Sequence, residues 1–190
     1  MAQEDLVFLS IGLDTVLKEN TQLVELLNRT QFEGLTDLIR AAPSVFVAGA
    51  GRSGLVLRMT AMRLMHLGMA AHVVGETTTP AIRAGDLLIA ASGSGTTPSV
   101  VRSAAKSREV GANVVAFTTA ADSALADLAT RVVVLPAAQK QDHGTTVSHQ
   151  YSGSLFEQGL LLVTDALFHA LWQIDGSPAE ELWPRHANLE

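Results

Sequence analysis

Ser92, Ser94, Thr96 and Thr97 put four hydroxyls into six residues, with Gly93 and Gly95 between them and Pro98 directly after. Glycines let the backbone come close to a ligand and turn successive N–H groups toward it. A helix starting at Pro98 would add its positive end, so the segment suits a phosphate dianion. The plainer alternative is a capped helix with Thr97 at the N-cap and Pro98 at the first helical position. A cap uses only one hydroxyl, and the other three favour an anion. No Lys follows the glycines as it does in a P-loop, so nucleoside triphosphate chemistry has no support here.

A second glycine cluster, Gly49-Ala-Gly-Arg-Ser-Gly54, matches the G-x-G-x-x-G dinucleotide fingerprint, and Glu76 lies where a ribose-binding acid could sit. A dehydrogenase also needs a second body to hold substrate against the nicotinamide, and the chain has no residues left for one. Arg52 could instead take a phosphate bidentately, with Ser53 beside it, although a surface salt bridge is the ordinary fate of an Arg. Glu157 follows Ser152-Gly-Ser154 at the start of an apolar helical stretch and is the candidate general base. Its alternative is an acid placed in a first helical turn by the helix dipole. His66, His72, His143, His149, His169 and His186 are available as acids or donors, and spacing does not choose among them. Asp142, His143 and His149 have poor spacing for a metal and fall in a loop, so no metal is expected.

These residues need a frame. Apolar positions from Leu6 to about Ala42 recur every three or four residues, which predicts amphipathic helices ending before Pro43. Five short apolar runs read as strands: 44–48, 71–75, 86–92, 113–117 and 131–135. Helices are expected at 55–67, 98–110, 123–129 and 154–172. Strands apolar throughout and separated by helices need both faces covered, which predicts an α/β fold with a doubly wound, parallel, five-stranded sheet. Ligands of such sheets bind beyond the carboxyl ends of the strands, where both glycine clusters fall. We read one domain over 1–190, with N-terminal helices over about 1–42 and a C-terminal tail over about 176–190.

Composition sets the limits. Thirteen Lys and Arg against nineteen Asp and Glu give a formal charge of −6, which disfavours nucleic acid as a partner. The absence of cysteine excludes disulfides, thiolate nucleophiles and Cys-based metal sites. With no basic leader and no long apolar run, neither secretion nor a membrane partner is expected, and the chain reads as cytoplasmic. Hydrophobic residues at 47% against 17% charged point to a homo-oligomer.

Both glycine clusters, the helix Ala61-Met-Arg-Leu-Met-His-Leu-Gly68, Val74-Gly-Glu-Thr-Thr-Thr-Pro80, Gln150-Tyr-Ser-Gly-Ser-Leu-Phe-Glu157 and the terminal Arg185-His-Ala-Asn-Leu-Glu190 together resemble the 6-phospho-3-hexuloisomerases of the sugar isomerase (SIS) domain superfamily. The resemblance spans nearly the whole chain. It implies interconversion of D-arabino-3-hexulose 6-phosphate and D-fructose 6-phosphate, the second step of formaldehyde fixation in the ribulose monophosphate pathway. It also implies a homotetramer without cofactor or metal. Carried onto this sequence, it assigns substrate binding to Ser53 and to Ser92, Gly93, Ser94, Gly95, Thr96 and Thr97, and the base to Glu157, and it favours His66 and His186 among the histidines. Thr96 departs from the family, which often has Glu there. The alternatives are another phosphosugar isomerase of the same fold and a non-enzymatic sugar-phosphate-binding regulator.

Overall fold

The computed structural model describes residues 2–139 and 147–189. Asp142 and His143 of the discarded metal reading, and Glu190 of the tail, lie outside them. The chain opens with the 25-residue helix α1 (Ala2–Leu26), a 3-10 turn (Arg29–Phe32) and the helix α2 (Leu35–Ala41). The α/β body follows: β1 (Val45–Gly49), α3 (Gly51–His66), β2 (Ala71–Val73), β3 (Leu87–Ala91), α4 (Pro98–Glu109), β4 (Asn113–Thr118), α5 (Ala124–Asp127), β5 (Arg131–Val134) and α6 (Ser154–Asp175). The tail coils into α7 (Ala179–Leu182) and a second 3-10 turn (Trp183–Arg185).

All four strand pairings are parallel, in the order β2-β1-β3-β4-β5. The strands alternate between two cores. Val45, Val47, Leu87, Ile89, Val115 and Phe117 face the layer that includes α3 and α6, while Phe46, Ala48, Leu88, Ala90, Val114 and Ala116 face the layer with α4. β1, β3 and β4 are therefore apolar on both faces, and β3 is buried along its whole length. Because the chain winds outward from β1 to β2 and then returns past β1 to β3, the helices after β1 and β3 cover opposite faces. A crevice opens at this switch point between the strand ends.

The expected frame is present with shifted boundaries. Helix α3 starts at Gly51, inside the glycine cluster, so Arg52, Ser53 and Gly54 form its first turn where a loop reading of 49–54 had placed them before the helix. β2 is only three residues long, on the sheet edge. Among the described residues no helix is long and apolar enough to cross a membrane.

Candidate active site

Both glycine clusters meet at the switch point. Gly49 ends β1 and Gly54 lies in the first turn of α3, and the two are pressed together. A Cβ on Gly54 would lie 2.6 Å from the Gly49 carbonyl oxygen, and one on Gly49 would lie 2.9 Å from Gly54 Cα. These glycines bring helix and strand backbones into contact, which sets Ser53, only 5% exposed, against the crevice.

The loop after β3 is clamped from β4. The Gly93 carbonyl accepts from the N–H of Thr119 (3.0 Å) and from the Thr118 and Thr119 hydroxyls (3.1 and 2.8 Å), while the Gly95 carbonyl accepts from the N–H of Leu125 (2.9 Å). Gly95 has φ +65°, and a Cβ there would fall 1.9 Å from the Ser123 hydroxyl, so only glycine fits the turn. With the Gly93 carbonyl turned to the end of β4 and that of Gly95 to α5, the N–H groups of Gly93 and Ser94 have no acceptor among the described residues. The hydroxyls pair with each other, Ser92 with Thr97 at 2.8 Å and Ser94 with Thr96 at 2.9 Å. Thr97 occupies the N-cap of α4, but its side chain makes no capping bond, and Pro98 follows. The hydroxyl needed for the plain capping reading is thus committed to the loop, and the helix N-terminus stays open.

Ala50, Ser53, Ser92, Ser94, Thr97 and Phe156 are among the residues lining a pocket of about 250 Å³ in the crevice. Its far wall is the start of α6. Gly153, with φ +79°, turns the chain into that helix, and the Phe156 ring lies 3.5 Å from where a Cβ on Gly93 would stand. Glu157 is 3% exposed, and its Oε2 meets Arg52 Nε at 2.8 Å. This ion pair joins the first turns of α3 and α6, so Arg52 gives a buried carboxylate its counter-charge. The pairing between Arg52 and Glu157 had no sequence signal, since 105 residues separate them.

His66 and His186 come together, but at the other end of α3. That helix has 16 residues, so at about 1.5 Å per residue its ends lie roughly 24 Å apart. The two imidazoles stack at 3.9 Å, Trp183 lies 4.7 Å from His186, and Arg185 Nη1 donates to the His66 carbonyl oxygen at 2.7 Å. Arg185 thereby places its cation at the helix's negative end. His72 packs on Phe46 and His169 on Trp172. Among the described residues no three His, Asp or Glu side chains cluster as a metal ion would need.

His66 is 4% exposed, and its Nδ1 has no partner among the described residues. Burial holds its pKa below the ordinary 6.5, with the charges of His186 and Arg63 adding to the effect. A histidine depressed this way binds its proton more readily when the tail has left. Docking is therefore at full strength above the ordinary value and weakens as pH falls below it. Between about pH 8 and about pH 5.5, tryptic cleavage after Arg185, corrected with a free tail peptide, should become faster in the parent protein. It should stay level in His66→Phe, which keeps the ring stack without the proton. An equal rise in both proteins would refute control by His66.

The domain model of the SIS domain matches residues 38–162, and the chain belongs to the SIS-domain family. Its relatives are specific. It is 66% identical over 146 residues to a 3-hexulose-6-phosphate isomerase of Mycobacterium gastri, covering 77% of this chain and 73% of that one. It is 40% identical to the 3-hexulose-6-phosphate isomerase of Bacillus subtilis over 176 residues, 92% of this chain and 95% of that one. A crystal structure from Methanococcus jannaschii, from which a function of 3-hexulose-6-phosphate isomerase was inferred, superposes with a TM-score of 0.81 at 31% identity, covering 94% of this chain and 99% of that one.

Proposed function

We propose that this protein is an isomerase that interconverts D-arabino-3-hexulose 6-phosphate and D-fructose 6-phosphate. The observation that carries the reading is a pocket lined by a hydroxyl- and N–H-rich anion loop and, opposite, by Phe156 of the α6 start, the residue next to the buried carboxylate of Glu157, in a chain whose relatives bear that activity by name. The phosphate sits on Ser92–Thr97 with Ser53 and holds the reacting carbons beside Glu157. Glu157 removes the proton from C2 while the C3 carbonyl oxygen takes one up from water, giving a cis-enediol. The carboxylic acid then delivers a proton to C3 as the C2 hydroxyl loses its own, leaving the carbonyl at C2. One carboxylate on one face of the sugar serves both transfers at carbon, and the C2 hydroxyl returns its proton to water, so the scheme calls on no metal or cofactor.

The protein works as a homotetramer in the cytoplasm, on the second step of formaldehyde fixation. Assembly is supported by the exposed apolar residues Leu6, Phe8, Leu9 and Leu13 of α1 and Leu55, Met59 and Met62 of α3. Since His66 and His186 lie a helix length from their own chain's pocket, any acid they supply serves a neighbour's substrate.

The test is to generate 3-hexulose 6-phosphate in place from formaldehyde and ribulose 5-phosphate with a synthase, and to follow fructose 6-phosphate. No product with a folded, assembled protein rejects the reading. Ser94→Ala should raise KM more than it lowers kcat, with a loss in kcat/KM of about 1.5–3 kcal/mol for one hydrogen bond to a charged group. Unchanged kinetics would take Ser94 out of the cradle.

A further inference from the structure

Glu19 is a carboxylate on the long N-terminal helix, only 7% exposed, and distant in sequence from every residue of the pocket. Three donors from one segment converge on its two oxygens. The Ser148 hydroxyl donates to Oε2 at 2.6 Å, the His149 N–H to Oε1 at 2.7 Å, and Gln150 Nε2 to Oε2 at 3.0 Å. The Ser148 hydroxyl also accepts from the Gln150 N–H at 3.0 Å. From Gln150 the chain of bonds continues to α6, where Gln158 Nε2 donates to Gln150 Oε1 at 2.7 Å, and it returns to α1 through Asn20 Nδ2, which donates to Gln158 Oε1 at 2.6 Å. Gln158 follows Glu157 directly. Helix α1 is seated on α6 by an apolar contact as well: a Cβ on Gly159 would stand 2.7 Å from Leu23 Cδ1, and Leu23 is 1% exposed.

We infer that Glu19 is a positioning residue for Glu157, holding segment 148–150 and the start of α6 in the register that keeps the carboxylate beside the substrate carbons. The inference rests on the catalytic reading of Glu157 given above. A group that receives three donors on two oxygens must be acceptor-only, which a carboxylate satisfies and an amide does not. Burial raises the Glu19 pKa, but the hydrogen bonds from Ser148, His149 and Gln150 outweigh it and leave the pKa below the ordinary 4.5. A carboxyl depressed in the folded state contributes stability above that value and loses it as pH falls through the folded pKa, so the buckle is closed at neutral pH. Among the described residues the network touches only α1, the segment before α6, and α6. The anion loop is clamped separately from β4. Catalysis and phosphate binding should therefore respond differently when the buckle is cut.

The test compares Glu19→Gln with the parent protein and with Ile39→Ala, which removes core volume in α2 away from the pocket. In Glu19→Gln, kcat should fall by up to about 100-fold, as misplacement by about 1 Å can do. KM and the inhibition constant of inorganic phosphate should move by less than about 3-fold, since the anion loop is untouched. Ile39→Ala should lose thermal stability while keeping kcat. Hydrogen exchange, which needs no activity, should show faster exchange at the His149 amide and in the first turn of α6, with the 92–97 loop unchanged. An unaltered kcat, a parallel loss of kcat and phosphate affinity, or a kcat loss matched by Ile39→Ala overturns the positioning role. If the parent protein shows no isomerase activity, the catalytic reading fails by itself. Exchange then decides whether Glu19 closes the buckle, and unchanged exchange at the His149 amide rejects it.

Discussion

Glu157→Gln keeps the fold and lowers kcat by about 10²–10⁴-fold in both directions, the range a lost general base produces. The amide preserves shape and can still accept from Arg52 Nε through its oxygen, so the link between the first turns of α3 and α6 survives. What disappears is the ability to take a proton from C2. With C6 phosphorylated, 3-hexulose 6-phosphate has no free hydroxyl for an ordinary five- or six-membered ring, so the substrate arrives open-chain and proton abstraction is the first chemical event. A carboxylic acid exchanges its proton with water during the enediol's lifetime, so turnover in heavy water should place some deuterium at C3 of fructose 6-phosphate. The Gln variant should place almost none. Near-normal turnover in Glu157→Gln would move the search to His66 and His186.

Gly54→Ala should cost about 3 kcal/mol of stability and most of the activity together, because its Cβ meets backbone. The Gly49 carbonyl stands 2.6 Å away at the end of a buried strand, so relief comes only from lifting α3 off β1, which carries Arg52 and Ser53 out of place. Gly12→Ala provides the contrast. A Cβ there meets nothing within 4 Å, and in the middle of α1 alanine should be neutral or stabilising by up to about 1 kcal/mol. Urea unfolding of the two variants checks the pair, and equal stabilities would show that the close approach of Gly49 and Gly54 is not a constraint.

The sheet was legible because its strands are buried on both faces, so uninterrupted runs such as Leu87-Leu-Ile-Ala-Ala91 have no other explanation in a chain of this composition. The place of Ser92–Thr97 between a strand end and a helix start was legible for a related reason, since glycines and hydroxyls break the apolar run and Pro98 opens a helix. The start of α3 was misread because a glycine-rich segment looks like a loop, whereas here the glycines serve contact between a helix and a strand. Glu19 was hidden in a different way. On an amphipathic helix an acid on the polar side looks like solvent contact, and only segment 148–150 folding back onto α1 shows it to be buried. The histidines could not be ranked from spacing because the stacking of His66 on His186 is a meeting of two segments far apart in the chain.

The hydroxyl pairs Ser92–Thr97 and Ser94–Thr96 give the proposed anion loop hydroxyls that are already partnered with one another. A dianion entering it would redirect hydrogens that the pairs were sharing, so arrival exchanges neutral hydrogen bonds for charge-assisted ones and departure restores the neutral set. Such a cradle grips by many hydrogen bonds and the partial charge of a helix end, with no full cation from the loop itself. It therefore holds a sugar phosphate long enough for reaction without deepening the well in which the product must wait, and turnover is favoured over retention.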